Sequence, residues 1–203
     1  MRKIWMRFES MPSAFVAIIP LMEFIVEKAT EKDLEAVYEC FLRSNEALKK
    51  RGNHMWDHDY PKKENFLEDI SGDGLFIIKD GDKVIASLGA YLDPVDYFFF
   101  KSKDAGKMNL IYEALNIKEG KYLVLERLMV DPGYRGHSLG KLLLNHILEV
   151  AYPEYGQLAA VFKEDAELKP FYTKLGFSIA DPFKGFEWNN PDNCFLIGRG
   201  KRD

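Results

Sequence analysis

DPGYRGHSLGKLLL, residues 131–144, places an arginine and three glycines directly before a leucine-rich segment. The apolar run YLVLERLMV, residues 122–130, precedes it and predicts a buried strand, while the leucines after it recur at helical spacing. A strand that ends in a glycine turn and opens a helix presents unpaired backbone N–H groups at the positive end of the helix dipole. The stretch therefore predicts a main-chain anion site, and phosphate is the anion that such turns favour.

Two common phosphate-binding loops can be tested against this turn. A P-loop requires four residues between its glycine and a Gly-Lys pair, followed by Ser or Thr. Here three residues separate Gly136 from Gly140, and Leu142 stands where the hydroxyl is required. A dinucleotide-binding turn requires G-x-G-x-x-G, which the stretch lacks. The turn is therefore neither of these two.

The segments around the turn predict an α/β (α+β) domain in which strands and helices alternate along the chain. Strands are predicted at 23–30, 122–130, 157–162 and 194–200, with a hairpin at 74–92. Helices are predicted at about 34–52, 62–70, 139–151 and 167–177, and the long connection 93–121 has room for a helical turn near 109–115. The strand–helix–strand unit at 122–162 is expected to be parallel and right-handed.

Length and composition bound the class of protein. The chain has 203 residues, of which 47% are hydrophobic, which is enough for one sizeable core and favours a single domain. A formal net charge of −4 argues against nucleic-acid binding, because phosphate contacts need clustered Lys and Arg. The two cysteines, Cys40 and Cys194, have no metal-type spacing, so a reducing compartment, the cytoplasm, is expected. No apolar run approaches the roughly 20 residues that span a bilayer, so no membrane association is expected.

Residues 1–21 are interpreted as an N-terminal extension that is not part of the fold. They combine a basic start with a short apolar patch, as a secretory signal does. Pro20 interrupts the patch and Glu9 lies upstream of it, which argues against a signal, and a strand-like run begins after Met22. The domain is therefore predicted to cover residues 22–203.

Two motifs resemble those of one enzyme family. RGHSLG, residues 135–140, resembles the acyl-CoA pyrophosphate loop of the GNAT superfamily of N-acetyltransferases, which has Gln or Arg, two residues, Gly, one residue, and Gly or Ala. Arg135 and Gly140 match this pattern, whereas Ser138 replaces its first glycine. FYTKLGF, residues 171–177, resembles the family's other motif, an aromatic-Tyr segment that ends in Leu-Gly-Phe. The order of elements from about residue 23 to 199 also agrees with the family fold.

The resemblance implies a GNAT-type fold, in which about four helices flank a central mixed, mostly antiparallel sheet of six to seven strands. It also implies acetyl-CoA as cosubstrate, no metal, and direct transfer of the acetyl group to an amine. The residues that it assigns to coenzyme A are Leu128, Met129, Val130, Arg135, Gly136, His137, Ser138, Leu139, Gly140, Lys141 and Asp165. Many relatives carry Asn at the position of Asp165. Serine resists positive φ, so weaker coenzyme A binding is expected if position 138 requires it.

Tyr172 and Glu126 are the catalytic candidates. The resemblance implies that the Tyr172 phenol protonates the departing thiolate, whose pKa is about 8.5; a tyrosine that only packs in the core is the alternative. Strand alternation places Glu126 on the face of Val124 and Leu128 and places Arg127 on the other, so the arginine is not expected to neutralise it. A carboxylate on an apolar face is expected to have a raised pKa and to act as the base; a pair with a distant Lys or Arg is the alternative.

The acceptor pocket carries no readable motif. His54 and His58 stand at i, i+4 beside Asp57 and Asp59, but this spacing binds metal on a helix, and a Trp-containing loop that ends in Pro is not predicted to be one. We expect four aromatic residues to line the pocket, with core packing as the alternative: Trp56, Tyr60, Tyr97 and Phe98.

The sequence is compatible with more than one class of acceptor. The main prediction is a small-molecule primary amine, including a polyamine-like one. A peptide amine, either a protein N-terminus or a lysine, is equally compatible with the sequence. A non-catalytic acyl-CoA-binding or regulatory module with the same fold is the rival, and Ser138, Asp165 and Pro170 favour it. A monomer and a homodimer both fit the sequence.

Overall fold

The computed structural model describes residues 24–54, 56, 60–187 and 193–201, so the predicted extension 1–21 lies outside the described residues. Seven strands form one sheet: β1 Val26–Lys28, β2 Leu75–Asp80, β3 Lys83–Tyr91, β4 Tyr122–Val130, β5 Gly156–Phe162, β6 Ser178–Ala180 and β7 Cys194–Arg199. Their order is β1-β2-β3-β4-β5-β7-β6, and each neighbouring pair is antiparallel except β4 and β5. The predicted mixed, mostly antiparallel sheet and its parallel unit are confirmed.

Six α-helices are present in the described part of the chain: α1 Leu34–Lys49, α2 Lys63–Ser71, α3 Pro94–Phe98, α4 Met108–Leu115, α5 Leu139–His146 and α6 Lys169–Lys174. A π-helical turn, Ile147–Ala151, extends α5 to the predicted end. The sequence predicts about four helices, and α3 and α4 in the 93–121 connection bring the number to six. α3 begins at Pro94, which has no N–H to leave unsatisfied, and Asp93 caps it by accepting from the Asp96 N–H at 2.9 Å.

Alternation along the strands gives the sheet two apolar faces. In β2, Phe76 and Ile78 belong to the core that includes α5 and α6, whereas Leu75 and Ile77 belong to the core that includes α1 and α2. In β4, Val124 joins a third buried cluster, which it shares with α3 and α4. The sheet therefore lies between α5 and α6 on one face and α1 to α4 on the other. The 93–121 connection contributes α3 and α4, which cover part of that second face.

The parallel pair at the centre of the sheet is short. Pairing of β4 with β5 joins Tyr122–Val124 to Gly156–Leu158 and extends no further along the two strands. Beyond this point β5 stays paired with β7, and β4 stays paired with β3. The two strands therefore separate toward the end of β4, and this separation creates the site.

Candidate active site

A cavity of about 700 Å³ occupies the space where β4 and β5 separate. Its walls include β4 from Leu125 to Val130, β5 from Ala159 to Phe162, the first turn of α5, and α6. The turn that connects β4 to α5, together with the first two residues of α5, is called the anion turn below and covers residues 131–140. Ten of the eleven residues that the sequence assigns to coenzyme A line this cavity: Leu128, Met129, Val130, Arg135, Gly136, Ser138, Leu139, Gly140, Lys141 and Asp165. The eleventh, His137, is exposed, and its Nδ1 lies 3.1 Å from the carbonyl oxygen of Tyr134.

Asp131 anchors the anion turn to the rest of the fold. Its buried carboxylate accepts from the Gly133 N–H at 2.9 Å, and it pairs with Arg43 of α1 at 2.7 Å and Lys83 of β3 at 2.9 Å. Burial raises the pKa of Asp131, but the hydrogen bonds from Lys83, Arg43 and Gly133 outweigh it and hold the pKa below its usual value. One buried carboxylate therefore ties the anion turn to α1 and β3.

The anion turn requires left-handed backbone at two positions. Gly136 has a φ of 84° and Ser138 a φ of 60°, and Ser138 is the residue directly before α5. The condition under which serine was expected to weaken binding is therefore met. A side chain in this region costs roughly 1–2 kcal/mol, which glycine avoids. The serine nonetheless keeps the backbone N–H that such a turn offers to an anion.

Basic side chains surround the anion turn. Arg135 and Lys141 are exposed and line the cavity, as do Arg51 at the end of α1 and Lys174 at the end of α6. Arg51 also pairs with Glu167. The sequence did not single out Arg51 and Lys174, because they come from segments far from the turn. Together with the positive end of α5, these cations favour a ligand with several negative charges.

At the end of β4, the main chain rather than the side chains is available to a ligand in the cavity. Met129 is buried against α1 and α2, and its backbone pairs with Ser87 of β3. Leu128 and Val130 are partly buried against the core that includes α5. Because β5 no longer pairs with this part of β4, its second edge faces the cavity and is open to an extended ligand.

Tyr172 lies on α6 and lines the same cavity. Its ring packs edge-on against Phe171 at 5.1 Å and Phe177 at 5.6 Å, so the FYTKLGF motif packs on itself. Gly176, with a φ of 83°, ends the helix, and the Phe177 N–H donates to the Tyr172 carbonyl at 3.1 Å. Burial raises the pKa of the Tyr172 phenol above its ordinary value. Among the described residues, none hydrogen-bonds its hydroxyl.

A bulge in β4 overturns the prediction that Arg127 points away from Glu126. Ser87 of β3 opposes Met129, whereas Gly89 opposes Glu126, so Leu88 faces two residues of β4 instead of one. Arg127 takes up the extra length with a φ of 51°. Simple alternation therefore fails at this point, and the Arg127 guanidinium forms an ion pair with Glu126.

Asp69 of α2 completes a buried group of charges, called the carboxylate cluster below: Asp69, Glu126 and Arg127. Arg127 donates from Nε to an Asp69 oxygen at 3.0 Å and from Nη2 to the same oxygen at 2.6 Å. Side-chain exposure is 7% for Arg127, 13% for Asp69 and 12% for Glu126. Sequence reasoning missed Asp69. Its spacing of three residues from the buried Phe66, which places both on the inner side of α2, is the signal that could have found it.

The pKa of Glu126 is raised to about 7. Burial is the largest cause, the Arg127 guanidinium lowers the pKa, and the like charge of Asp69 raises it again. The raised pKa agrees in direction with the expectation from the sequence, although a nearby cation is present. Glu126 lines the cavity, so it can exchange a proton with a molecule bound there near neutral pH.

Asp165 also lines the cavity, next to α6. Its carboxylate accepts from the side-chain amide of Asn53 at 2.8 Å. Burial raises the pKa of Asp165, and the hydrogen bond from Asn53 lowers it. The residue therefore joins the segment after α1 to the segment before α6 across the cavity.

Three of the four predicted acceptor aromatics line the cavity: Trp56, Tyr60 and Tyr97. The prediction for Phe98 is corrected, because its side chain is fully buried and packs against Phe186 at 5.5 Å in the cluster of α3 and α4. Successive residues of a helix point in different directions, so Tyr97 and Phe98 cannot share one wall. His58, Asp57 and Asp59 lie outside the described residues, and the described ones contain no group of three acidic, His or Cys side chains placed to hold a metal.

None of the helices in the described ranges has both the length and the apolar character that crossing a membrane requires.

Residues 34–177 match the family model described as Acetyltransferase (GNAT) family. No curated protein matches the sequence.

Solved structures with a similar fold share little sequence with this chain. A GNAT family acetyltransferase from Streptococcus agalactiae has a TM-score of 0.65 at 13% identity, covering 89% of this chain and 96% of that one. The PaiA N-acetyltransferase of Thermoplasma acidophilum, solved with coenzyme A, has a TM-score of 0.60 at 16% identity, with coverages of 88% and 99%. The ribosomal-protein-S18-alanine N-acetyltransferase of Escherichia coli has a TM-score of 0.55 at 16% identity, with coverages of 87% and 91%.

Proposed function

The chain belongs to the acetyltransferase (GNAT) family, and on that premise we propose that it is an N-acetyltransferase that moves the acetyl group of acetyl-CoA directly onto a primary amine. One observation carries the proposal. A single cavity brings together the anion turn, the open edge of β4, Glu126 and Tyr172. These are the parts that binding a thioester, accepting a proton from an amine and donating a proton to a thiolate require.

Coenzyme A fits the chemistry of the cavity wall. The N–H groups of residues 136–140, at the positive end of α5, and the side chains of Arg135 and Lys141 would hold the pyrophosphate. Arg51 and Lys174 would add positive charge for the remaining phosphate. The main chain of Leu128, Met129 and Val130 would pair with the amide groups of the pantetheine arm on the edge that β5 leaves open.

Glu126 is the proposed general base. An alkyl amine has a pKa of about 10.4 and is nearly all protonated at pH 7, so it must lose a proton before it can attack. A carboxylate with a pKa of about 7 is a far better proton acceptor near neutrality than one with the ordinary value. Glu126 would take this proton directly or through a water molecule, which frees the nitrogen lone pair to attack the acetyl carbonyl. The second proton, which the nitrogen loses as the amide forms, would pass to solvent.

Tyr172 is the proposed general acid. As the C–S bond breaks, the sulfur leaves as a thiolate that must gain a proton. Burial raises the pKa of Tyr172 above its ordinary value, so the phenol is protonated near neutral pH, where Glu126 begins to ionise. The hydroxyl would hydrogen-bond to the sulfur and donate its proton there.

Thiol release tests the proposal. The protein is incubated with acetyl-CoA and a panel of small primary amines, polyamines and peptides with free N-termini or lysines, and free thiol is followed. Acceptor-dependent release supports the enzyme, and the best class of acceptor separates a small-amine enzyme from a protein acetyltransferase. Binding of acetyl-CoA without release for any acceptor would support the rival, a non-catalytic acyl-CoA module.

Tyr172→Phe tests the role of the phenol. We expect turnover to fall by about 10²-fold while the affinity for acetyl-CoA changes little, because the hydroxyl acts on the departing sulfur. Tyr152→Phe is the matched control, since Tyr152 packs on the same core but does not line the cavity. Equal turnover in Tyr172→Phe and in the control removes Tyr172 from the mechanism.

A further inference from the structure

Asp69 and Glu126 share the guanidinium of Arg127. The Asp69 carboxylate occupies the edge of the guanidinium that carries Nε and Nη2, with donor–acceptor distances of 3.0 Å and 2.6 Å. That edge is one of those that can pair with a carboxylate through two parallel hydrogen bonds. Glu126 therefore meets Arg127 only through Nη2, which it shares with Asp69.

The other groups around Arg127 hold the guanidinium in this orientation. Nη1 donates to the Tyr60 hydroxyl at 2.5 Å. The rings of Tyr60 and Phe66 both lie 5.9 Å from the guanidinium carbon, within the range of cation–π attraction. Rotation of Arg127 toward a two-bond pair with Glu126 would break the contacts with Asp69 and Tyr60.

Gly89 provides the space in which the two carboxylates approach each other. A Cβ atom at position 89 would lie 3.0 Å from Cγ of Glu126, 3.2 Å from its carbonyl oxygen and 3.7 Å from an Asp69 oxygen. Any larger residue at this position would require Glu126 to shift. The bulge of β4 at Arg127, the space at Gly89 of β3 and the contact with Asp69 of α2 therefore together set the position of Glu126.

We propose that Asp69 is a positioning residue of the transfer site, which holds the Arg127 guanidinium back from full pairing with Glu126 and so keeps Glu126 able to accept a proton from the acceptor amine. This inference rests on the proposed role of Glu126 as the base. In the absence of Asp69, Glu126 would be the only carboxylate of the cluster left to pair with Arg127. A carboxylate that is fully paired with arginine stays ionised to low pH and is a weak proton acceptor.

The charges around Glu126 support this role. Titratable groups face it from four elements and one loop: Asp69 of α2, Arg127 of β4, Tyr91 of β3, Tyr97 of α3 and Tyr60 of the loop before α2. Burial raises the pKa of each of the three tyrosines, so they are neutral near pH 7. Arg127 and Asp69 therefore supply the opposing charges that act on Glu126.

A titration of Glu126 tests the inference without any acceptor. The side-chain carboxyl of isotope-labelled glutamate is followed by NMR in the full-length protein, and Glu126→Gln identifies the signal. In the wild type the midpoint is expected at about pH 7. In Asp69→Asn it is expected to fall by about one unit or more, because one negative charge is lost and Arg127 turns to Glu126. Asp69→Glu, which keeps the charge, is expected to retain most of the wild-type value.

Glu68→Gln is the matched control. It removes the same charge from the preceding residue of α2, but Glu68 is exposed, so the midpoint of Glu126 is expected to stay within a few tenths of a unit. If Asp69→Asn does not fold, Asp69→Ser replaces it with the same expected shift. An unchanged midpoint in the folded Asp69 variant overturns the inference.

Turnover provides the second readout and separates this inference from the proposed function. With the amine that the wild type acetylates best, the acid limb of kcat/KM in Asp69→Asn is expected to move to lower pH by the same amount as the NMR midpoint, with a lower plateau. Absence of thiol release from the wild type with every amine contradicts the proposed function. An unshifted acid limb in an active Asp69→Asn variant contradicts the proposed role of Asp69 and leaves the proposed function unaffected.

Discussion

The anion turn lines the same cavity as Glu126 and Arg127 of the carboxylate cluster, but the two regions are built differently. The anion turn is a contiguous stretch whose main chain does the binding, and Asp131 fixes it through contacts with Arg43, Lys83 and Gly133. The carboxylate cluster combines side chains from α2 and β4 with space left by Gly89 of β3. A main-chain site tolerates changes of side chain if the backbone can keep its shape. A buried side-chain site depends on every partner, because each charge is compensated only by the others.

Glu126→Gln is expected to have the largest effect. It should abolish the function of the carboxylate cluster and leave the anion turn intact. Loss of the base should lower acceptor-dependent turnover by about 10²–10⁴-fold, because no carboxylate remains at position 126 to accept the proton of the amine. The affinity for acetyl-CoA should stay within about twofold of the wild type, since the anion turn is untouched. Steady-state thiol release and calorimetry measure the two quantities. Glu113→Gln, an exposed acid of α4, is the control, and equal losses in both variants would contradict the assignment.

Arg127 of the carboxylate cluster and Arg135 of the anion turn are expected to differ in their contribution to stability. Arg127→Met should lower the free energy of unfolding by about 3–5 kcal/mol, because it leaves the buried carboxylates of Glu126 and Asp69 without their cation. Arg135→Met should change stability by less than about 0.5 kcal/mol, because Arg135 is exposed. Urea denaturation measures both. Arg135→Met should instead weaken acetyl-CoA binding, more so at low salt. Similar losses of stability in the two variants would contradict the difference between the regions.

The difference also explains how far the sequence could predict the molecule. The anion turn and the FYTKLGF motif are local, so residues 135–140 and 171–177 carry their own pattern. Arg127 faces Glu126 because of a bulge in the β3–β4 pair, and strand alternation contains no sign of it. Asp69 comes from a helix about sixty residues earlier in the sequence, and nothing but the fold brings it to Glu126. β6 is three residues long, too short for a strand pattern to be distinguished.

Ser138→Gly is expected to have the smallest effect and tests how much the anion turn depends on its backbone. Glycine relieves the positive φ at this position, so stability should rise by about 0.5–1 kcal/mol and acetyl-CoA binding should become slightly tighter. Asn116→Gly, at a φ of 51° after α4, is the control, because asparagine already tolerates this conformation and should gain little. Thermal unfolding and calorimetry give both values. Weaker acetyl-CoA binding in Ser138→Gly would show that the serine hydroxyl, and not the backbone, contacts the ligand.

Calorimetric titration of the wild-type protein with acetyl-CoA and with coenzyme A, at low and at high salt, shows whether the anion turn and the opened edge of β4 hold an acyl-CoA. We expect one molecule bound per chain, with an affinity that decreases as salt screens the contacts of Arg135 and Lys141 with phosphate. No detectable binding of either ligand at any salt concentration would contradict this expectation.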